Sequence, residues 1–197
     1  METKTRYNRR VGNNIGEMAM IELPNKKYKV IYADPPWLFR TRSDKGKDKS
    51  PEKHYECMSL NDICNLPVKE IADENCVLLM WVCDPMLDQA LKVIDAWGFK
   101  YKTVGFTWAK TNKHTLGFFT GLGYWTRGNP EMCLLATKGR PKRISKDVAQ
   151  LVVSPRGKHS EKPLLHGEIE RLVDGPYIEL FARKKTRENW DYWGNEV

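Results

Sequence analysis

The chain has no CxxC pair, no internal repeat, no low-complexity tract and no Pro/Gly-rich linker along its 197 residues. Its five cysteines (Cys57, Cys64, Cys76, Cys83, Cys133) are an odd number, which excludes a disulfide framework and favours a reducing compartment. Histidine is scarce at four, and the HxxC of His54 and Cys57 has only Cys64 and Cys76 to complete it. Both lie in apolar stretches that read as core, so no metal is expected. The longest apolar run, Cys76 to Cys83, is eight residues. A membrane span needs about 20. The first ten residues, METKTRYNRR, contain no apolar stretch of the kind a signal peptide needs, so a cytoplasmic protein is expected. Without a linker or repeat, residues 26–197 read as one compact domain after a polar, partly ordered segment 1–25.

What the chain has is positive charge. Lys and Arg number 33 against 25 acids, a net charge of +8. The excess is clustered. Met132 to Lys146 carries Lys138, Arg140, Lys142, Arg143 and Lys146 with no acid, and Arg40, Arg42, Lys45, Lys47, Lys49 and Lys53 crowd a second polar stretch. Solvated loops would read the same way. Two such loops on a basic domain nevertheless point to a polyanionic partner, most simply nucleic acid.

Periodicity gives an α/β class. Tyr28–Ala33 is a β-branched apolar run stopped by Asp34 and two prolines, and Val77–Val82 is a second buried strand. Ser59 reads as an N-cap before Leu60, Ile63 and Cys64. Asp84 reads as the cap of a helix with Pro85 at its first position, an apolar face of Leu87, Ala90, Leu91 and Ile94, and a stop at Gly98. Tyr101–Ala109, Glu131–Thr137 and Leu151–Val153 read as strands. Lys162-Pro163 opens a helix bearing Leu164, Leu165, Ile169 and Leu172, and Tyr177–Phe181 is the last strand. Such alternation predicts a mostly parallel sheet with helices on both faces. Ligands then bind beyond the carboxyl ends of the strands, where Asp34–Trp37 and Phe181–Arg183 share one crevice.

Asp34-Pro35-Pro36-Trp37 carries the chemistry. Two prolines fix the backbone and remove two donors, leaving carbonyls as acceptors. An ionised Asp34 is acceptor-only, so Asp34 and the Pro35 carbonyl form a rigid acceptor pair beside a flat ring. That suits a planar group bearing an NH2, its face stacked on Trp37. The same acceptors stabilise the charge that develops when such an amine attacks an electrophilic carbon. The plain alternative is an Asp-Pro turn with a core tryptophan.

With this tetrapeptide after an apolar strand, the chain resembles the DPPW-type amino-methyltransferases. Within them it is similar to the catalytic subunit of the eukaryotic mRNA adenosine-N6 methyltransferase and its bacterial and phage relatives. The resemblance runs in order through Tyr28–Trp37, Leu78–Val82, Trp97-Gly98, Thr107–Asn112, Gly123–Trp125, Glu131–Gly139, Lys162-Pro163, Ile169–Leu172, Ile178–Phe181 with Arg183, Asn189-Trp190 and Gly194-Asn195. It covers roughly residues 26–196.

The resemblance implies a Rossmann-like S-adenosylmethionine-dependent methyltransferase fold, circularly permuted, with the catalytic strand early and a cofactor strand late. It implies Asp34, Pro35, Pro36 and Trp37 as catalytic residues. Lys162 would hold the methionine carboxylate of the donor and Asp34 its ammonium. Glu179, Phe181, Arg183 and Asn195 would contact ribose and adenosine, although Glu179 and Arg183 also read as a strand-end ion pair. Lys184-Lys185-Thr186 and Glu196 depart from the pattern of the mRNA enzyme (Pro-His-Asn and Gln), which touches the ribose contacts. The expected reaction is methyl transfer to adenine N6 in DNA, because short single-domain relatives are DNA enzymes. An RNA enzyme and a non-catalytic nucleic-acid-binding subunit are the alternatives. Arg40, Arg42, Lys45 and Lys47 would grip phosphates, while His54 and Tyr55 could orient a base or simply pack. Residues 111–127, aromatic and Gly-rich, would form a homodimer or partner interface or else cover the domain's own sheet.

Overall fold

The computed structural model describes residues 22–38, 57–157 and 161–197. They form a seven-stranded sheet: β1 (Tyr28–Ala33), β2 (Ala72–Val82), β3 (Lys100–Thr111), β4 (Glu131–Lys138), β5 (Leu151–Pro155), β6 (Tyr177–Leu180) and β7 (Trp190–Trp193), in the spatial order β5-β3-β4-β2-β1-β6-β7. β4 pairs antiparallel with β2 and β3; every other pairing is parallel. The expected mostly parallel α/β sheet is what forms.

Four helices cover its two faces: α1 (Leu60–Cys64), α2 (Val68–Ile71), α3 (Leu87–Ala96) and α4 (His166–Leu172). Strand alternation explains the division, because successive side chains point to opposite faces. Ile31, Ala33, Leu78, Met80 and Val82 face one way and pack against Ile63, Val68, Val93, Ile94 and Trp97 of the α1–α3 layer. Val30, Tyr32, Val77, Leu79 and Trp81 face the other way and pack with Leu165 and Ile169 at α4. The buried Trp97 indole donates to the Ile63 carbonyl at 2.8 Å and ties α3 to α1.

Local signals hold in part. Ser59 caps α1, its hydroxyl accepting the Asp62 N–H at 3.2 Å. Gly98 ends α3 with φ +82, a conformation that favours glycine. Other expectations shift. Asp84–Met86 is a 3₁₀ turn with no side-chain cap, and α3 begins after it. Its buried face is Ala90, Val93 and Ile94, while Leu87 and Leu91 are each 37% exposed. β2 begins five residues early, at Ala72, which pairs with Tyr28 across a register irregularity that takes up Asp73, Glu74 and Asn75. Lys162-Pro163 precedes α4 without joining it, and Leu164 is exposed. β7 was read only as part of the family pattern; it forms because Trp190 and Trp193 are both buried when it adds to β6.

This topology places β1 beside β6, in register Tyr32↔Glu179 and Ala33↔Leu180. The early tetrapeptide and the late Glu179–Arg183 segment therefore share one edge. The Asp34 N–H donates to the Leu180 carbonyl at 3.4 Å across it.

Candidate active site

The site is built where β1, β2 and β3 end and β4, running the other way, begins. Lys162 reaches this edge from the segment before α4. Its Nζ lies 2.8 Å from Glu131 Oε2 and 3.3 Å from Asp34 Oδ2. Glu131 Oε1 also pairs with Lys110 Nζ at the end of β3. Lys162 is 17% exposed and Glu131 16%, against 38% for Asp34 at the open side. The Lys162 ammonium also sits 5.7 Å from the centre of the Trp81 ring, close enough for a cation–π contribution.

Opposed pulls set the protonation. Burial alone would discharge Lys162, but Asp34 and Glu131 more than offset it and hold the ammonium above its ordinary value. Burial also works against the Glu131 carboxylate, yet Lys162 and Lys110 hold it below the usual range. For Asp34, burial wins: its carboxyl is pushed up despite Lys162, with Glu131 and Glu179 adding repulsion. The cluster balances two cations against two carboxylates, and the carboxylate pushed up by burial is the one nearest the opening.

The tetrapeptide is as stiff as its prolines predict. The Pro35 carbonyl accepts the Trp37 N–H at 2.8 Å, and the Pro36 carbonyl accepts the Met58 N–H at 3.0 Å. Pro35 O retains a second lone pair for a ligand. Trp37 differs from expectation. It is 6% exposed, packs in the α1–α3 layer and donates from Nε1 to the Trp81 carbonyl at 3.0 Å. Its ring is a strut for the turn, and the open stacking face read from the sequence is covered. Trp81, whose ring lies on the other face of the sheet, donates to the Tyr32 hydroxyl at 2.6 Å.

The residues expected at ribose and adenosine divide. Glu179 lies on the same face as Asp34 and pairs with buried His166, Oε2 to Nε2 at 2.8 Å. Phe181 leaves β6 at φ +63 and packs edge-on against Trp193, ring centres 5.4 Å apart. Arg183 is exposed and donates from Nε to Glu196 Oε1 at 3.1 Å. Asn195 is exposed two residues past β7. Glu179 thus pairs with His166, and Arg183 with Glu196.

Sequence reasoning did not assign roles to Glu131, Lys110 or His166. The available signal was positional: Glu131 opens an apolar strand and Lys110 closes one, where a charge must meet another charge or water. Arg40, Arg42, Lys45, Lys47, His54 and Tyr55 lie outside the described residues. Among the described residues no group of three or more His, Cys, Asp or Glu could hold a metal ion. Burial pushes the Cys76 thiol up to about 12. No described helix is long and apolar enough to cross a membrane.

The 111–127 segment is open to solvent. Leu116 is fully exposed, Trp125 is 92% exposed, and Phe118, Leu122 and Tyr124 are each more than half exposed. These side chains do not cover the domain's own sheet. Asn129 anchors the base of the segment, accepting from Lys110 N and donating to Lys110 O.

Glu131→Gln leaves Lys110 and Lys162 without their shared anion and is expected to destabilise the fold by about 3 kcal/mol at pH 7. A carboxylate held low in the folded state stabilises it above the unfolded value near 4.5, and this contribution fades as pH falls through the lowered value. Urea titrations at pH 7 and in strong acid should show the gap between wild type and variant closing in acid; a pH-independent gap contradicts the assignment.

The MT-A70 family matches residues 28–196. The type II methyltransferase M.MunI of a Mycoplasma species is 34% identical over 89% of this chain and 80% of its own. The human N(6)-adenosine-methyltransferase catalytic subunit METTL3 is 28% identical over 87% of this chain, which spans only 28% of that protein. The Arabidopsis thaliana N6-adenosine-methyltransferase non-catalytic subunit MTB is 32% identical over 62% of this chain and 16% of its own. A match across nearly all of the sheet and both flanks of the charge cluster makes this chain a member of the MT-A70 family of methyltransferases.

Proposed function

We propose that the protein transfers a methyl group from S-adenosylmethionine to the N6 amine of adenine in DNA. The observation that carries this is Asp34, a partly exposed carboxylate of raised basicity beside the free lone pair of Pro35 O, with the Lys162 ammonium at 3.3 Å. The donor set suits S-adenosylmethionine: a cation for its carboxylate, an acid for its ammonium, and Glu179, 19% exposed, for its ribose diol. Arg183, Asn195 and the Phe181 ring stand at the same edge for the rest of the nucleoside. Bound there, the donor would supply an electrophilic methyl carbon.

The adenine N6 hydrogens are taken by Asp34 Oδ and Pro35 O, which draws the amine lone pair out of conjugation and toward that carbon. Held by Lys162, Asp34 and Glu179, the donor would supply the methyl carbon that N6 accepts, the electrons of its carbon–sulfur bond remaining on sulfur. Positive charge develops on N6, stabilised by two acceptors already fixed in place. One N6 proton then passes to Asp34, whose raised basicity suits it to accept, and leaves to water. Trp37, locked to Trp81 O, keeps the turn from yielding.

DNA is favoured over RNA by the likeness to M.MunI across most of both chains, where the mRNA-type relative is matched over a minor part of its length. The non-catalytic reading is supported by the likeness to MTB and opposed by the intact Asp34–Trp37 turn. Residues 40–47 follow the turn directly, so Arg40, Arg42, Lys45 and Lys47 are proposed to hold substrate phosphates. The exposed Leu116–Trp125 side chains are proposed to pack against a second copy of the chain, since isolated domains rarely leave so many large apolar groups bare.

Labelled S-adenosylmethionine with matched DNA and RNA oligonucleotides should yield N6-methyldeoxyadenosine from DNA. Asp34→Ala should lower turnover about a thousandfold or more with an unchanged melting temperature. Product from RNA alone overturns the substrate, and retained turnover in Asp34→Ala overturns the mechanism. Replacing Arg40, Arg42, Lys45 and Lys47 with Gln should flatten the slope of log affinity against log salt by roughly three; an unchanged slope removes them from the phosphate path. Sedimentation should show a dimer that Trp125→Ser with Leu116→Ser converts to monomer. A wild-type monomer at micromolar concentration would rule out that interface.

A further inference from the structure

His166 is a buried polar side chain that the proposed chemistry does not use. It is 3% exposed, at the first position of α4. Its Nε2 lies 2.8 Å from Glu179 Oε2 and 3.3 Å from Thr186 Oγ1. Trp190 closes on the ring at 4.5 Å between centres, Tyr32 at 5.7 Å and Tyr192 at 6.3 Å. Nδ1 has no hydrogen-bond partner among the described residues. A burial this complete around an imidazole with one bonded nitrogen means the ring is held for what that nitrogen does.

What it does is fix a carboxylate. An N–H on Nε2 donates to Glu179 Oε2, and among the described residues Oε1 takes no partner. Glu179 keeps 19% exposure and stands between Tyr32 and Tyr192 across the sheet. Without the ring, the carboxylate could turn about its terminal torsions; with it, one oxygen is tethered and the other is offered to the crevice. The ring is itself braced. Thr186 Oγ1 touches both Nε2 and the Tyr192 hydroxyl, and that hydroxyl accepts the N–H groups of Thr186 and Arg187. Thr186 belongs to the Lys184–Thr186 stretch that departs from the family pattern, so this chain supports its late strand with its own residues.

We propose that His166 is a positioning residue for recognition of the cofactor ribose, acting through Glu179 by tethering Oε2 so that Oε1 accepts from a ribose hydroxyl. This rests on the reading of Glu179 as the ribose acceptor. Preorganisation of this kind changes affinity through one hydroxyl contact and leaves the rest of the ligand alone.

Calorimetry with S-adenosylhomocysteine and an analogue lacking both ribose hydroxyls isolates that contact without turnover. Wild type should prefer the intact ribose by about tenfold or more, the scale of a hydrogen bond to a charged group. His166→Phe keeps the shape and removes the donor, and should bring the preference to within about twofold. His166→Gln can place an amide N–H near the position of Nε2 and should restore it. His166→Asn, too short to reach Glu179, should behave as His166→Phe if the latter fails to fold. Equal weakening of both ligands in the Phe and Asn variants, with the preference kept, overturns the proposal and leaves His166 a packing residue. Glu179→Ala should also abolish the preference. If it does not, the ribose reading of Glu179 is what fails, and the role of His166 falls with it.

Discussion

An ammonium group at 17% exposure cannot be left without counter-charge, and the arrangement of the site follows from where Lys162 finds it. It takes Glu131 from the start of β4 and Asp34 from the end of β1, and Glu131 is shared with Lys110 at the end of β3. Removing Lys162 or Glu131 leaves another charge unmatched, so the three strand ends and the segment before α4 are fixed relative to one another. The turn that carries Asp34 is thereby held by a residue far along the chain, in addition to its own prolines.

The single reversed strand is what makes this possible. In a wholly parallel sheet, the first residues of every strand lie at the edge away from the crevice. β4 runs against β2 and β3, with Val82↔Met132 and Trp108↔Glu131 in register. Its first residue therefore lies beside their last. The fold obtains an acid at the carboxyl edge from a strand that is just beginning, while the interior of β4, with Cys133 and Leu134 fully buried, remains ordinary core.

A continuous apolar run made β1 readable, because a strand buried on both faces is apolar throughout. Gly98 and Ser59 were readable because each performs a local task that few residues can. The start of β2 and the whole of β7 were not, since their pairing energy comes from neighbours distant in sequence and their own polarity reads as loop. The same reason hid Glu131, Lys110 and His166. A charged or polar residue at a strand end is written identically whether it meets water or a partner, and only the topology decides. Trp37 shows the converse: the tetrapeptide was legible, but the side of the sheet on which its ring lies depends on how the chain turns after Pro36, which brings the indole under Trp81 O.

The unequal distances at Lys162 bear on how a zwitterionic donor could enter. The contact to Glu131 is 2.8 Å and the contact to Asp34 is 3.3 Å, on the more exposed side. Lys162 is anchored by the more buried acid and only leans on the more exposed one. Under the proposed function, a ligand carrying both a carboxylate and an ammonium would insert at the longer contact, its carboxylate meeting Lys162 and its ammonium meeting Asp34. The net charge of the cluster would not change, and the Glu131 pair would stay intact. The exchange replaces one exposed ion pair by two, so the unfavourable step of desolvating Lys162 is complete before the ligand arrives. Asp34, already pushed up by burial, would exchange the Lys162 ammonium for that of the ligand and keep its other oxygen for the hydrogens of an amine.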